Sequence, residues 1–487
     1  MGFNVAELTS EQARLRSASP AIITPDTVIT YGQLSVAVGI VARRLRQHGV
    51  TPGQVVGVTM GQNALHVITL LALAQVGAVS LPLHLAVPAE RRALAASRFG
   101  ASCVVSGRDD MALAGLQFIS LAGLSFDGLS MTPDTETYPA HGDTPLRIAI
   151  SSGTSGNPKG MVLTHGLMKL RIDRPDPEYS SLSRTLPMDL NFVVGFRPAF
   201  STLAKGAALV MPESTLPEQL LQSIVRHAVT HIYLSPAQAH SVVDLLAAGS
   251  VHCPSLICLR IGGGPLGPAL LNEVREKITP NVYVGYGSTE SGLLTHATPE
   301  ILDRHPGSVG RVCPWAEIQV VDENDHPVPT ETVGVVRIRS GHQVSGYYLD
   351  EVRSQRHFRD GWFYPGDLGG FDEEGLLYIE GRVDEQLNVG GLKMNPEEIE
   401  AIISAHSDVA EAGAFVLAGA EGNELLAVAV VLRPDAQLGK IEVHIRAQLG
   451  PLAPARYFVV TSLPRTLTGK LRRTDLAAQF SRNIDAS

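Results

Sequence analysis

The string Ser151-Ser152-Gly153-Thr154-Ser155-Gly156-Asn157-Pro158-Lys159-Gly160 is the most chemically suggestive stretch of this 487-residue chain. Small hydroxyl and glycine residues in series present backbone N–H groups and hydroxyls to a concave space, which suits phosphate oxygens. Lys159 adds a point charge for the same anion. Pro158 ahead of that lysine rules out a Walker A loop, which runs Gly-Lys-Ser/Thr into a helix. Read alone, the string is equally a flexible surface loop.

A second string, Tyr283-Val284-Gly285-Tyr286-Gly287-Ser288-Thr289-Glu290, begins as a strand and ends as a turn, where open α/β sheets bind ligands. Tyr286 suits a purine ring, Thr289 a phosphate oxygen and Glu290 a Mg²⁺ ion. Its plain alternative is a strand-end turn with a solvated glutamate. A third string, Gly262-Gly263-Gly264-Pro265-Leu266-Gly267, satisfies G-x-G-x-x-G between a strand and a helix, so an NAD(P) oxidoreductase has to be weighed. Three facts oppose it. The chain holds 47 glycines, Pro265 removes a donor from the turn, and no strand ending in an acid follows about 20 residues on.

Further along, Tyr364-Pro365-Gly366-Asp367 precedes Gly381-Arg382. Asp367 suits two ribose hydroxyls and Arg382 a ribose or phosphate oxygen, although an Asx turn would also use Asp367. Last, Thr468-Gly469-Lys470 sets a lysine on a loop near the C-terminus, where a solvated charge is the ordinary reading.

The elements that must position these residues alternate. A helical pattern over 31–48 carries Leu34, Val38, Val41 and Leu45 on one face and stops at Gly49. Strand and helix patterns follow at 55–60, 63–76, 78–83, 88–99 and 103–106. Beyond the phosphate-type loop they resume at 207–211, 217–227, 231–234, 237–247 and 256–261. Such alternation predicts right-handed crossovers and a mostly parallel sheet. From 307 to 379 short β runs with turns predict a smaller β subdomain. The last hundred residues read as a separate α/β unit, with Asn395 as N-cap, Pro396 at N1 and Glu398 at N3 of a helix. The expected fold is α/β. A large N-terminal domain (1–383) of doubly wound, mostly parallel sheets plus a β subdomain precedes a small mobile C-terminal α/β domain (384–487).

Composition narrows the class. Hydrophobic residues at 44% and charged residues at 18% describe a globular protein, and the net charge of −9 with no dense basic run argues against nucleic acid. Four cysteines without CxxC spacing indicate neither a zinc site nor a disulfide framework. The N-terminus lacks a basic region followed by an apolar block, and Ala6 stands where myristoylation needs Ser or Thr. The apolar run 67–87 is broken by Gln75, Gly77, Pro82 and His84, so no membrane span is expected. A soluble, cytoplasmic protein is expected.

In this order, from Ile29-Thr30-Tyr31 to Lys470, the strings resemble the adenylate-forming superfamily of acyl-CoA synthetases, nonribosomal-peptide adenylation domains and luciferases. The resemblance implies that ATP activates a small carboxylic acid as an acyl-AMP with release of pyrophosphate. The acyl group then passes to a thiol, that of CoA or of a carrier-protein phosphopantetheine. It implies that Ser152, Gly153, Thr154, Ser155, Gly156 and Lys159 grip the β- and γ-phosphates, and that Gly263, Gly264 and Pro265 form the adenine-side turn. Tyr286 would stack on adenine, followed by Gly287 and Ser288 in the nucleotide segment, while Thr289 meets the α-phosphate and Glu290 binds Mg²⁺. Asp367 with Arg382 would hold the ribose, Asp384 would be the hinge, and Gly391 would line the thiol tunnel. Lys470 would swing in as the catalytic cation. A carboxylate attacking a phosphate brings two anions together, which Mg²⁺ and lysines neutralise.

The acid pocket departs from the family pattern. Where acyl-CoA synthetases carry Pro-x-x-His-x-x-Gly, this chain reads Pro187-Met188-Asp189-Leu190-Asn191-Phe192-Val193-Val194-Gly195, with no histidine. Val193 falls near the aspartate of amino-acid-activating relatives, and Asp189 comes too early. An α-amino acid is therefore disfavoured and a neutral, partly apolar acid expected, with Asn191, Phe192 and Gly262 lining the pocket. Pro365 also stands where threonine is usual. The segment around Gly390-Gly391-Leu392-Lys393 looks more like acyl-CoA synthetases than peptide-synthetase modules. An amino-acid-type adenylation enzyme that loads a separate carrier protein remains the rival reading.

Overall fold

The computed structural model describes residues 3–124, 136–151, 158–174, 179–246, 251, 253–383, 387–389, 392–418, 424–450, 453–466 and 469–481. Two mostly parallel sheets form the first part of the fold. One runs in the order Gln117–Ser120, Ala101–Ser106, Val55–Val58, Val79–Pro82, Pro145–Ser151, Lys159–Thr164, and only its last pair is antiparallel. The other runs Val282–Val284, Cys258–Ile261, His231–Leu234, Arg184–Leu186, Ala208–Val210, Pro20–Ile23, Val28–Thr30, again antiparallel only at its last pair.

The helices Tyr31–Gln47, Ala64–Val76 and Val193–Ala204 share one apolar core. Every residue of Ala64–Val76 from His66 onward is buried, which explains its lack of a polar face. Asn63 caps it by accepting the His66 N–H at 3.0 Å, and Gly77 ends it in the left-handed region. Tyr31 ties this core to the second sheet, its hydroxyl donating to the Leu203 and Ala207 carbonyls at 2.9 and 2.7 Å.

A third, antiparallel sheet contains Ala316–Val321, Gly334–Ser340, Asp367–Phe371 and Leu377–Arg382, and it has its own core around Ile318, Val336 and Phe363. Beyond it, Val409–Ala418, Glu424–Leu432 and Arg456–Val459 form a C-terminal sheet. Helices Pro396–Ser404 and Leu438–Leu449 cover one face of that sheet through Ile399, Ile403, Ile441 and Ile445. Helix Arg473–Ser481 covers the other through Leu476 and Phe480.

The helix starts where expected, with Asn395 at the N-cap position and Pro396 as its first residue. The capping role of the Asn395 side chain needs a correction: it makes no cap hydrogen bond and instead donates to the Glu380 carbonyl. It fills the space beside Gly381, whose φ of +148° and missing Cβ leave room for it. Among the described residues no helix is long and apolar enough to cross a membrane, and the four cysteines are buried.

Candidate functional site

Loops at the carboxyl ends of neighbouring strands bring most of the singled-out residues together. Strands Cys258–Ile261 and Val282–Val284 run parallel with Ile261 beside Val284, so the turn at 262–267 and the segment at 285–290 leave the sheet side by side. Gly263, at φ +85°, adopts a left-handed conformation that side chains resist. Gly263, Gly264 and Pro265 are exposed there, whereas Gly262 is buried.

Tyr286 is followed by a two-residue ladder in which Gly287 pairs with Leu293 and Ser288 with Gly292. A Cβ on Gly287 would collide with the Gly292 carbonyl, so only glycine closes this hairpin. Thr289 and Glu290 occupy its tip. Arg171, only 2% exposed, reaches that tip from helix His165–Asp173. Its guanidinium donates to the Thr289, Glu290 and His342 carbonyls at 3.2, 3.1 and 2.7 Å. Burial pushes its pKa down to about 10, opposed by the Glu290 carboxylate, so it stays a cation.

Glu290 is 9% exposed, and its Oε1 accepts the Tyr347 hydroxyl at 3.0 Å. Lys159, the first residue of strand Lys159–Thr164, places its ammonium 5.7 Å from the centre of the same Tyr347 ring. Lys159 pairs with Ser151 in an antiparallel register. Ser152, Gly153, Thr154, Ser155 and Gly156 lie outside the described residues, as do Asp384 and Gly391.

The Tyr286 hydroxyl donates to Asp367 Oδ2. Asp367 and Arg382 are register partners across two strands of the third sheet, with Arg382 Nη1 3.3 Å from Asp367 Oδ1. Burial, with the Asp367 carboxylate beside it, holds the Tyr286 phenol well above its ordinary pKa. The aromatic ring, the acid and the guanidinium thus form one corner between the second and third sheets.

The C-terminal loop comes to the same strand ends. Thr466 and Lys470 exchange hydrogen bonds: Thr466 N to Lys470 O at 2.7 Å, and Lys470 N to Thr466 Oγ1 at 3.1 Å. Gly469, at φ +87°, packs so closely that a Cβ would lie 3.0 Å from Ser235 Oγ and 3.5 Å from the Ala237 Cβ. Ser235 follows strand His231–Leu234, and Pro236 lies 3.6 Å from the position a Gly264 Cβ would take. Lys470, the residue after Gly469, is half-buried.

The loop at 187–192 is held by buried charge. Arg147, 0% exposed, donates to the Leu190 and Asn191 carbonyls at 2.9 and 2.7 Å and lies 4.5 Å over the Phe196 ring. Asp189 Oδ1 accepts from Asn191 Nδ2 at 2.7 Å, and its Oδ2 lies 2.7 Å from His84 Nε2. Burial alone would raise the Asp189 carboxyl, but His84 and the Asn191 amide outweigh it and lower it. Asn191 is thus engaged with its own loop. The half-exposed Phe192 leads into helix Val193–Ala204, its ring 5.8 Å from that of His84.

Tyr347, Arg171 and Arg147 carry no motif that singles them out. Only Gly346-Tyr347-Tyr348, an aromatic pair after glycine, is a signal in the sequence, and it is a weak one. Arg171 and Arg147 stand in ordinary helix and strand patterns, and only the fold shows them buried.

A family model described as "AMP-binding enzyme" matches residues 9–348, and one described as "AMP-binding enzyme C-terminal domain" matches residues 398–470. The indoleacetate–CoA ligase of Aromatoleum aromaticum is 28% identical over 99% of this chain and 99% of its own. The 2-succinylbenzoate–CoA ligase of Bacillus velezensis is 30% identical over 70% of each. The crystal structure of the anthranilate CoA ligase AuaEII in complex with anthranoyl-AMP shares the fold, with a TM-score of 0.87 at 23% identity, covering 99% of this chain and 98% of that one.

Proposed function

Because this chain belongs to the family of AMP-binding enzymes, we propose that the corner formed by Tyr286, Asp367, Glu290 and the Gly262–Gly264 turn is its adenylating site. The chain is an AMP-forming acid–thiol ligase. ATP activates a carboxylic acid as an acyl-AMP with release of pyrophosphate, and the acyl group then passes to a thiol. A nicotinamide oxidoreductase built on Gly262–Gly267 is not favoured.

The observation that carries the assignment is the convergence of an aromatic ring, a paired acid and a buried carboxylate at adjacent strand ends. Tyr286 covers the purine, Asp367 takes the ribose hydroxyls with Arg382 steadying its carboxylate, and Thr289 meets the α-phosphate. Glu290 suits Mg²⁺: no group of three or more His, Cys, Asp or Glu surrounds a point among the described residues. A lone carboxylate is what an ion that keeps its waters and takes phosphate oxygens requires. Bound there, Mg²⁺ supplies charge neutralisation at the phosphates. Lys159 and the loop at 152–156 hold the β- and γ-phosphates. The Gly469 turn delivers the Lys470 ammonium to the oxygens that gain charge as the acid attacks.

We place the domain division at Asp384, with 1–383 building the nucleotide and acid sites and 384–487 carrying Lys470. Rotation there would exchange Lys470 for the Gly391 segment along the thiol path. The relatives' names support CoA as the acceptor, with a holo carrier protein as the second candidate. Four sparse cysteines without CxxC spacing suit a reducing compartment, so the cytoplasm is the proposed location. The test is carboxylate-dependent ATP–pyrophosphate exchange over a panel of acids, followed by thioester detection with CoA and with a holo carrier protein. Absence of exchange with every acid would remove this reading.

A further inference from the structure

Three neighbouring strands of the first sheet each send one polar side chain to the loop at 187–192. Gln62 follows strand Val55–Val58, His84 follows Val79–Pro82, and Arg147 lies within Pro145–Ser151. The loop itself belongs to the second sheet, where it joins strand Arg184–Leu186 to helix Val193–Ala204. Gln62 Nε2 donates to the Pro187 and Met188 carbonyls at 3.0 and 2.9 Å, and its Oε1 accepts the Leu190 N–H at 2.9 Å. Arg147 takes the Leu190 and Asn191 carbonyls. Every carbonyl from Pro187 to Asn191 is therefore engaged. Only that of Asp189 is met by the loop's own backbone, through the Phe192 N–H at 3.1 Å.

A loop whose polar groups are met by side chains from elsewhere takes its shape from them. Pro187, Leu190 and Asn191 are buried, so losing either partner strands their carbonyls away from water. The charges are matched as well. His84 Nδ1 accepts the Ala86 N–H at 3.0 Å, which leaves the ring's proton on Nε2 to meet Asp189. Burial brings the Arg147 pKa down to about 9, opposed by the Asp189 carboxylate, so the guanidinium stays charged. Opposite charges on the loop and on its support suit the neutral, partly apolar acid expected there. The helix start is fixed by the same loop, since a Cβ on Gly195 would strike the Met188 and Asp189 carbonyls. Phe192 lies between these two anchored stretches.

We propose that Gln62 and Arg147 are positioning residues of the acid pocket. They hold the backbone of 187–191, and through it the Phe192 ring, in the arrangement that admits the enzyme's acid. They act through the loop and not on the acid itself. The inference rests on the acid-activating reading and on the loop lying beside the acid. A wall displaced by about 1 Å is enough to cost about 100-fold in rate.

The test uses the full-length enzyme in ATP–pyrophosphate exchange, varying first the best acid of the panel and then ATP. In Gln62→Glu the Leu190 contact persists, but an ionised oxygen replaces the amide that donates to Pro187 and Met188. KM for the acid is expected to rise about 10-fold at pH 7.5, the scale of one or two lost hydrogen bonds. KM for ATP should stay unchanged. At pH 5.5 the introduced carboxyl, its pKa raised by the facing carbonyls, regains a proton to donate, and the gap to the unmodified enzyme should narrow. Gln62→Met is expected to show the same rise at both pH values, and Arg147→Lys a rise in the same direction. An unchanged acid KM, a matching rise in both KM values, or identical pH behaviour of Gln62→Glu and Gln62→Met would overturn the positioning role alone. No exchange by the unmodified enzyme with any acid would overturn the acid-activating reading together with it.

Discussion

The Tyr347 hydroxyl donates to Glu290 at 3.0 Å while the Lys159 ammonium stands 5.7 Å over the same ring. One aromatic side chain therefore links the carboxylate assigned to Mg²⁺ with the lysine assigned to the outer phosphates. Tyr347→Phe keeps the ring but frees the carboxylate to turn. Exchange activity is expected to fall about 10-fold, in line with a lost hydrogen bond to a charged group, and the Mg²⁺ concentration for half-maximal rate to rise. A magnesium titration of both proteins checks it, and an unmoved midpoint would separate Tyr347 from the metal.

Lys470→Ala is expected to lower adenylation by about 10²-fold or more, the scale seen when one donor to developing charge is removed. ATP affinity measured by calorimetry should change little, because the loss falls on the transition state. Thioester formation from supplied acyl-AMP should persist. Full exchange activity in the variant would assign the lysine elsewhere.

Gly469→Val tests the contact that brings the lysine turn to the strand ends. Any side chain at φ +87° is strained, and a Cβ there would press on Ser235 Oγ. Adenylation is expected to drop at least 10-fold, a fall equivalent to about 1.4 kcal/mol of lost docking, with the thiol step again spared. Equal loss in both half-reactions would mean that the turn affects folding of the C-terminal unit instead.

Acid should destabilise the native state through histidines held neutral. His66, His165 and His342 are buried and shifted down to about 4, in each case chiefly by burial. At His165 the ring Nδ1 accepts the Val5 N–H at 3.0 Å, which a protonated ring cannot do. Below about pH 6.5 the unfolded histidine takes a proton that the folded one refuses, so stability falls as pH drops from there toward 4. For His165, 0% exposed, this amounts to about 3 kcal/mol across the window. Urea midpoints between pH 7.5 and 4.5 should fall steeply, and His165→Asn, which keeps an acceptor without a titrating ring, should flatten the slope.

The alternation of apolar strands and helices made the parallel sheets legible, because such elements are bounded by glycine and proline and buried on both faces. Helix Ala64–Val76 could be read directly from its largely apolar run and its Gly77 stop. Partners distant in sequence could not. The pairing of Pro145–Ser151 with Lys159–Thr164 encloses the phosphate-type loop, and the loop's composition hid the strands on either side. Asn395 had the right residue type for a cap, yet Glu380 competes for its amide. Tyr286 and Asp367 were each readable, but their hydrogen bond spans 81 residues and follows only from the approach of two sheets. Buried arginines left no trace, since hydropathy patterns treat them as surface.

That approach has a consequence for the molecule's mechanics. Tyr286 leaves the second sheet but packs against the core of the third, where Asp367 resides. Each sheet has a separate interior, so the seam between them resembles a small subunit interface within one polypeptide. A nucleoside seated across Tyr286 and Asp367 would act there as a splint. Occupancy would then be felt as rigidity, and an emptied site as a joint free to give.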